Sequence, residues 1–252
     1  MRNTNFKNVI SLSTDEMMRH WLLNLAVDCA VWLGLIFPIV AGEALNAREI
    51  PGCKTEDYAK GLIALFDFGM VKFASEVPGD DVGSRPGVLR ILDRFLRLSI
   101  NDPALSHEGR LLPSYKRNQI PGMQVSFELT LRGGEAWERL AEPDWTRFVS
   151  ESTVEMSGDL VSPDRDLLMA YMGWYPELRS EQIHLETITW QTHGDFEILY
   201  WKRLPFVYHV SFVVQSAKAR WHKIEPKWFR EWWHYTRSWH KDPWQLAGWP
   251  LE

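Results

Sequence analysis

The chain has 252 residues, of which 45% are hydrophobic and 24% charged, enough apolar material for one large domain or two smaller ones. Its net charge of -5 at pH 7 and its sequence pI near 5.9 argue against the positive field of a general nucleic-acid binder. Two cysteines, Cys29 and Cys53, are too few for a disulfide framework or a cysteine-based zinc site, and we expect both to be buried.

The first predicted element is a long helix that begins beside residues 13–16, where side-chain oxygens can accept hydrogen bonds from the first backbone N–H groups. Apolar residues continue to about Leu35. Residues 21–40 are long enough to span a bilayer, but Asp28 near the middle and Pro38 favour a buried core helix. The N-terminus has no apolar run followed by a cleavage site, so we expect a cytoplasmic protein that is not in a membrane.

The next predicted elements are a short helix at residues 43–48, a helix at 56–68 and a strand at 70–74. The apolar residues of the 56–68 helix recur at a spacing that places them on one face. Residues 76–122 are bounded by turn-rich segments, which predicts an insertion in the domain. We expect this insertion to contain a helix at residues 88–99.

A second strand is predicted at residues 125–130, followed by a turn at Gly133-Gly134 and a short helix that ends near Leu140. Residues 151–166 are acidic and contain Ser, Gly and Pro, a composition typical of a connecting segment. We therefore place a domain boundary at the start of this segment. The predicted domains are residues 1–149 and residues 150–252.

The order of these N-terminal elements resembles a winged helix-turn-helix domain over about residues 14–141. The resemblance rests on Leu-Phe-Asp-Phe-Gly-Met-Val at residues 65–71 and on Phe-Glu-Leu-Thr-Leu-Arg-Gly-Gly-Glu-Ala-Trp at residues 127–137. It implies a bacterial setting, and it implies that residues 56–68 form the recognition helix, which lies in the DNA major groove in many such proteins. That helix has a single internal lysine, Lys60.

The charge of this half departs from the DNA-binding pattern. Residues 54–141 contain 12 basic and 12 acidic residues, and phosphate contacts need an excess of basic ones. We therefore expect the winged-helix-like scaffold to contact another protein.

The second half has no family resemblance and predicts a small antiparallel sheet. A helix is expected at residues 165–172, and a turn at residues 193–195 separates the first two strands. A tryptophan-rich final helix at 226–240 is expected to pack on the sheet. The predicted fold class is therefore α+β. The three strands are predicted at residues 182–190, 196–201 and 207–214.

Two groups of side chains are candidates for partner binding. Arg90, Arg94 and Arg97 form one row of the inserted helix, and guanidinium groups pair well with carboxylates; a solvated helix face is the alternative. Residues 218–242 contain seven basic and three acidic residues among many rings. Their candidate contact residues are Trp228, Arg230 and Trp232, which fit a stacking surface for RNA or protein, or else a helix that covers the sheet.

The segment at residues 151–197 has the opposite character. It contains ten acidic and two basic residues, a net charge of -8. Such a segment can steer a basic partner, for example a nuclease toxin, or it can form a solvated face.

Histidines are the places to look for catalysis. His184 alternates with Glu186 on a predicted strand face, and His193 lies near Asp195. Neither pair has the spacing of a known metal-ligand set, and the sequence has no nucleophile elbow, phosphate loop or dinucleotide fingerprint. We therefore predict no catalytic residue, no metal ligand and no cofactor.

These observations predict a non-catalytic protein of the immunity, antitoxin or adaptor kind, which binds another protein such as a toxin or an effector. Two alternatives remain. A winged-helix DNA-binding regulator would show salt-dependent binding to duplex DNA. A hydrolase or nuclease without a recognisable motif would show a cleft where a histidine meets carboxylates.

Overall fold

The computed structural model describes residues 13–37, 50–97, 106–107, 110–111, 123–179, 181–216 and 238–242. Helices combine with antiparallel sheets, which confirms the α+β class. The chain divides into two compact units, an N-terminal unit of Met1–Ala141 with Asp242–Glu252 and a second unit of Glu142–Lys241. Within the described ranges, every helix is too short or too polar to cross a bilayer.

Helix α1, Thr14–Leu25, begins where the sequence predicts and ends ten residues earlier. The Ser13 hydroxyl accepts from the backbone N–H of Glu16, and the Glu16 carboxylate accepts from the N–H of Ser13 at 2.9 Å. The chain then leaves the helix, exposes Asp28 and forms strand β1, Val31–Trp32, and the one-turn helix α2, Leu33–Ile36. The predicted helix to Leu35 is therefore wrong, because strand pairing and exposure of a carboxylate are favoured over a longer helix.

Helix α3, Thr55–Asp67, packs its apolar face on α1. A methyl group on Gly61 would lie 2.8 Å from the Leu22 side chain and 2.9 Å from that of Met18, so glycine allows the two helices to approach closely. The buried residues of α3 are Tyr58, Ala59, Leu62 and Leu65.

Strands β2, Val71–Ser75, and β5, Val125–Leu129, form an antiparallel sheet with β1 in the order β1-β5-β2. Phe127 is opposite both Val31 and Phe73, and all three are buried beneath the helices. The predicted strands at residues 70–74 and 125–130 are confirmed to within one residue.

Helix α5, Leu131–Ala141, follows β5 directly. The N–H of Gly133 donates to the Thr130 hydroxyl at 3.1 Å, so Gly133 lies in the first helical turn and the predicted wing turn at Gly133-Gly134 is wrong. A methyl group on Gly133 would lie 1.9 Å from the carbonyl oxygen of Met70. The glycine is required by this close approach of helix to backbone.

Between β2 and β5 lie helix α4, Arg85–Leu96, and a short hairpin of β3, Ser106–His107, and β4, Arg110–Leu111. Helix α4 begins three residues before the predicted start because the Ser84 hydroxyl accepts from the N–H of Gly87 at 3.2 Å. One face of α4 is buried and the other is solvated. The buried residues are Gly87, Val88, Ile91, Leu92 and Phe95.

The described part of the second unit consists mainly of an antiparallel sheet and an α-helix. Strand β10, Lys202–Ser216, is central: it pairs with β7 on one side, and with β9 and β8 on the other, while β6 extends the sheet beyond β7. Helix α6, Arg165–Arg179, crosses one face and is seven residues longer than predicted. The other strands are β6, Ser150–Val154; β7, Ser157–Ser162; β8, Glu181–Ile183; and β9, Thr189–Leu199.

Two predictions for the second unit are wrong. The acidic segment at residues 151–166 does not connect domains, since it forms most of the β6–β7 hairpin. Residues 193–195 are not a turn, because Gly194 lies within β9 opposite Phe206, and the chain reverses at Tyr200 and Trp201 instead. In both cases polar residues occupy exposed positions of a strand and give it the composition of a loop.

The core of the second unit lies between α6 and the sheet. The predicted covering helix at residues 226–240 lies outside the described residues except for residues 238–240, which are not helical. The buried cluster consists of Leu160, Leu168, Tyr171, Tyr175, Val210, Phe212 and Val214.

Candidate functional site

Helices α1 and α3 enclose a groove of about 450 Å³ in the N-terminal unit. Met18 and Leu65 are buried in its floor, and Phe68, the residue after α3, is 50% exposed at its edge. An exposed aromatic ring beside a concave apolar surface is typical of a binding site. The remaining lining residues are Thr14, Asp15, Arg19, Gly52, Cys53, Asp57, Lys60, Gly61 and Ala64.

The rim of the groove has no net charge, because it contains two acids, Asp15 and Asp57, and two cations, Arg19 and Lys60. Asp57 accepts from the backbone N–H of Lys54 at 2.9 Å and from the Lys60 ammonium at 3.3 Å. These two hydrogen bonds, the backbone one first, hold the pKa of Asp57 below its usual value. The rim therefore has no net positive field to attract a polyanion.

A second exposed apolar residue, Leu131, lies near the end of α3. Gly69 adopts a left-handed φ of 64°, and its carbonyl accepts from the Thr130 hydroxyl at 2.7 Å. This bond ties the start of α5, with Leu131 at 66% exposure, to the turn that follows Phe68. The C-terminal end of α3 thus presents apolar surface on two neighbouring segments.

Three basic residues around α3 are paired with acids of the same unit. Lys60 contacts Asp57, Lys72 contacts Glu128 at 2.6 Å and Arg85 contacts Asp67 at 3.0 Å. A cation that binds a phosphate must first give up such a carboxylate, which costs part of the gain. These three cations of the N-terminal unit are therefore partly neutralised by its own carboxylates.

The predicted arginine row on α4 is not a set of three equivalent groups. Both amino groups of Arg94 donate to Asp80, at 2.9 and 3.0 Å, and Asp80 also accepts from the Ser75 hydroxyl at 2.7 Å. The Arg94 hydrogen bonds chiefly hold the pKa of Asp80 below its usual value. Arg97 pairs with Asp93 at 2.6 Å on the surface, and Arg90 is exposed. Arg94 therefore connects α4 to the segment after β2.

The other predicted contact residues, Trp228, Arg230 and Trp232, lie outside the described residues, and their role stays a prediction. Both cysteines were predicted to be buried, and that prediction is wrong. Cys29 is exposed in the segment after α1, and Cys53 is partly exposed in the groove. Desolvation, and then the nearby Asp57 carboxylate, raises the pKa of the Cys53 thiol.

The second unit contains a polar cluster on the face of its sheet. His209 Nε2 lies 2.8 Å from Asp159 Oδ1, and the Ser211 hydroxyl donates to the same oxygen at 2.6 Å. Nδ1 of His209 lies 3.3 Å from Nε2 of His193 on β9. The Ser211 hydrogen bond, followed by that of His209, holds the pKa of Asp159 below its usual value.

This cluster resembles a catalytic serine with its general base, but its hydrogen bonds do not have the direction that serine activation requires. The Ser211 oxygen is 3.2 Å from His209 Nε2, but the Ser211 hydroxyl donates to Asp159. An ionised carboxylate can only accept, so the tautomer that suits the 2.8 Å contact with Asp159 has its hydrogen on His209 Nε2. With its Nε2 hydrogen directed to a carboxylate, the imidazole cannot take the serine proton. The arrangement stabilises a carboxylate and does not activate a serine.

Of the two histidine–acid pairs that the sequence suggested, one is in contact in the structure and the other is not. His184 Nδ1 lies 3.4 Å from Glu186, but both belong to a 3₁₀ turn and its cap, so the predicted strand face is wrong. Asp195 pairs with Arg203 at 2.9 Å, and His193 contacts His209 instead. No group of three potential metal ligands occurs among the described residues.

Sequence reasoning missed Asp159 and His209 because 50 residues separate them, and only the register of β7 with β10 brings them together. The one available signal was His209-Val210-Ser211, in which two polar groups alternate on a strand that is otherwise apolar.

Comparison of the chain with protein-family models, with curated proteins and with solved structures finds no match. A functional proposal for this chain therefore rests on the geometry of the two units alone.

Proposed function

We propose that this is a non-catalytic binding protein, whose N-terminal unit is a winged-helix-like scaffold that binds another protein through the groove between α1 and α3. The element order supports the scaffold: α1, β1, α3, β2, β5 and α5 follow in sequence, and β5 lies between β1 and β2. Helix α3 occupies the position of the recognition helix, which in DNA-binding relatives of the fold enters the major groove.

One observation carries the proposal. The groove has buried apolar residues in its floor, and the numbers of acidic and basic residues at its rim are equal. Protein interfaces obtain most of their affinity from a few large apolar or aromatic side chains seated in such depressions. DNA binding depends instead on cations directed at phosphates, and the cations Lys60, Lys72 and Arg85 around α3 face carboxylates.

The occupant that fits best is an amphipathic helix or loop of a partner protein with a large apolar side chain for the groove. Phe68, at the edge, supplies an aromatic contact for that side chain. Stoichiometric binding of this kind is how an immunity protein, an antitoxin or an adaptor acts. We propose the cytoplasm as the place where this binding occurs.

The test starts with affinity capture of the tagged protein from the cells that make it, with and without nuclease treatment. The recovered protein partner is then purified and titrated against the wild type and against Phe68→Ala. We expect the substitution to weaken binding at least about tenfold, as removal of an interface anchor does. Met169→Ser, at a methionine of the second unit that is 51% exposed, is the control and should bind normally.

Thiol labelling provides a second readout on the native complex. Cys53 lines the groove and Cys29 does not, so bound partner should slow alkylation of Cys53 and leave that of Cys29 unchanged. Equal labelling of both thiols in the complex would place the partner elsewhere. Salt-dependent binding of duplex DNA that is lost in Lys60→Glu would replace the proposal with a DNA-binding regulator.

A further inference from the structure

Three large apolar side chains are exposed at one end of the second unit. Val154 and Met156 are 68% and 58% exposed at the tip of the β6–β7 hairpin, and Leu185 is 76% exposed in the 3₁₀ turn after β8. Isolated exposed apolar residues are common, whereas a group of them at one place marks a contact surface.

Backbone hydrogen bonds bring the two segments together around β10. The N–H of Val214 donates to the carbonyl of Met156 at 2.7 Å, and the N–H of His184 donates to the carbonyl of Val213 at 2.9 Å. The hairpin tip and the 3₁₀ turn therefore lie on opposite sides of the same two residues of β10. Neighbouring strands are spaced by about 4.8 Å, so the two segments are separated by roughly 10 Å.

Among the residues that the structure describes, the acids Glu155 and Glu186 belong to this end of the unit. Glu155 lies between Val154 and Met156, and Glu186 follows Leu185 with 77% of its side chain exposed. Four cations of this unit are held by other groups: Arg165 by the ring of Trp190, Lys202 by that of Trp145, Arg203 by Asp195 and Lys241 by Glu142.

The backbone conformation of Glu155 also favours a functional role for this end of the unit. Its φ of 55° is left-handed, at the first central position of a two-residue hairpin turn, where glycine is favoured. A charged residue occupies this position at a conformational cost, and such costs cluster at functional sites.

We propose that the surface formed by Val154, Glu155, Met156, Leu185 and Glu186, the acidic tip, binds a basic protein surface. The partner segment has lysine or arginine side chains beside large apolar ones. Its cations face Glu155 and Glu186, while its apolar groups cover Met156 and Leu185. This surface shares no residue with the groove, and it requires neither α1 nor α3.

The probe is a synthetic, fluorescently labelled helical peptide that carries lysines beside leucines on the same face. Its binding to the full chain is measured by fluorescence anisotropy at low and at physiological salt. The double variant Glu155→Gly/Glu186→Gln should weaken binding about fivefold or more at low salt, and Met156→Ser/Leu185→Ser should do so at both salt concentrations. A peptide with glutamates in place of the lysines should not bind.

Matched variants separate this surface from general attraction to an acidic protein. Glu56→Gln removes an exposed acid of α3, and Met169→Ser removes an exposed methionine of α6. Both should leave peptide binding unchanged, and circular dichroism should show that every variant is folded. Equal weakening in the matched variants, or wild-type binding in the acidic-tip variants, would overturn the proposal.

Phe68→Ala distinguishes the two proposals. It should weaken binding of the groove partner at least about tenfold without changing the affinity of the basic peptide. If the peptide loses affinity for this variant, the peptide binds in the groove and the acidic tip has no such role.

Discussion

Three acids beside α3 and α4 face cations, whereas two acids on the sheet of the second unit accept from neutral hydroxyls. In the N-terminal unit, Asp57, Asp67 and Asp80 each face a basic side chain, so the negative charge is neutralised locally. In the second unit the donors include neutral ones: Tyr171 donates to Glu151 at 2.8 Å, and the hydroxyl of Ser211 donates to Asp159.

This difference affects what each unit can attract. A neutral donor stabilises a carboxylate without cancelling its charge, whereas an ion pair removes most of the field that reaches solvent. Under our proposals, the groove of the N-terminal unit selects its partner by shape and apolar contact. The acidic tip of the second unit attracts its basic partner electrostatically.

The largest expected effect tests the packing on which the groove depends. Gly133→Ala places a methyl group 1.9 Å from the Met70 carbonyl oxygen, and it should lower the free energy of unfolding by about 3 kcal/mol or more. Gly173→Ala in α6, where a methyl group meets nothing within 4 Å, is the matched variant. It should be neutral or stabilising by up to about 1 kcal/mol. Urea unfolding followed by tryptophan fluorescence measures both.

An equal response of the two glycine variants would mean that α5 does not pack against β2 as described. The N-terminal unit would then lack the scaffold that the groove requires.

The next effect concerns how the N-terminal unit neutralises charge. Asp80→Asn breaks the two-bond contact with Arg94 and leaves that guanidinium partly buried without its counter-charge, at a cost of about 2 kcal/mol. Asp93→Asn removes the exposed pair with Arg97 and should cost under about 0.5 kcal/mol. Thermal unfolding of both variants checks the contrast. Similar losses would show that the Asp80 pair is no more important than a surface pair.

That contrast also changes how the arginine row is tested for partner binding. Replacement of all three arginines by alanine should destabilise the fold through Arg94. Binding should therefore be tested in Arg90→Ala/Arg97→Ala, which keeps the Arg94–Asp80 contact.

Local patterns in the sequence predicted four features of the N-terminal unit: the start of α1 and the positions of α3, β2 and β5. The start of α1 follows from the Ser13 and Glu16 cap, and α3, β2 and β5 follow from apolar spacing, because each depends mainly on its own residues. Strand β1 could not be predicted, since its two residues are a strand only through pairing with β5. The hairpin of residues 150–162 was missed because its exposed positions are serine and acids.

The candidate sites were harder to predict for the same reason. The groove joins α1 to α3 across segments that are far apart in sequence, and the acidic tip joins the turn at Glu155 to the turn at Glu186 through β10. Sequence charge did indicate that residues 151–197 are acidic. Which acids share a surface depends on strand register, and register is set by long-range packing.

A smaller effect tests the neutral donors of the second unit. Asp159→Asn should lower the free energy of unfolding at pH 7 by about 1 kcal/mol, a value reduced because the side chain is 42% exposed. The folded pKa of Asp159 lies below the unfolded value of 3.8, so its contribution is present above pH 4 and is lost as the pH falls through the folded pKa.

Unfolding of wild type and Asp159→Asn at a series of pH values from 7 to 2.5 measures this contribution. The two curves should converge at the acidic end. A difference that stays constant throughout would mean that the carboxylate has no special stabilisation from Ser211 and His209.

The smallest effect concerns the strained acid at the acidic tip. Glu155→Gly relieves the left-handed backbone but adds freedom to the unfolded chain, so the two effects partly cancel and we expect a gain of about 0.5 kcal/mol. Ser152→Gly, in the regular part of β6, provides no such relief and should lose about 0.5 to 1 kcal/mol. The sign of the difference is what matters. A loss in Glu155→Gly equal to that in Ser152→Gly would show that the turn stores no strain, and the backbone argument for a binding role of Glu155 would fail.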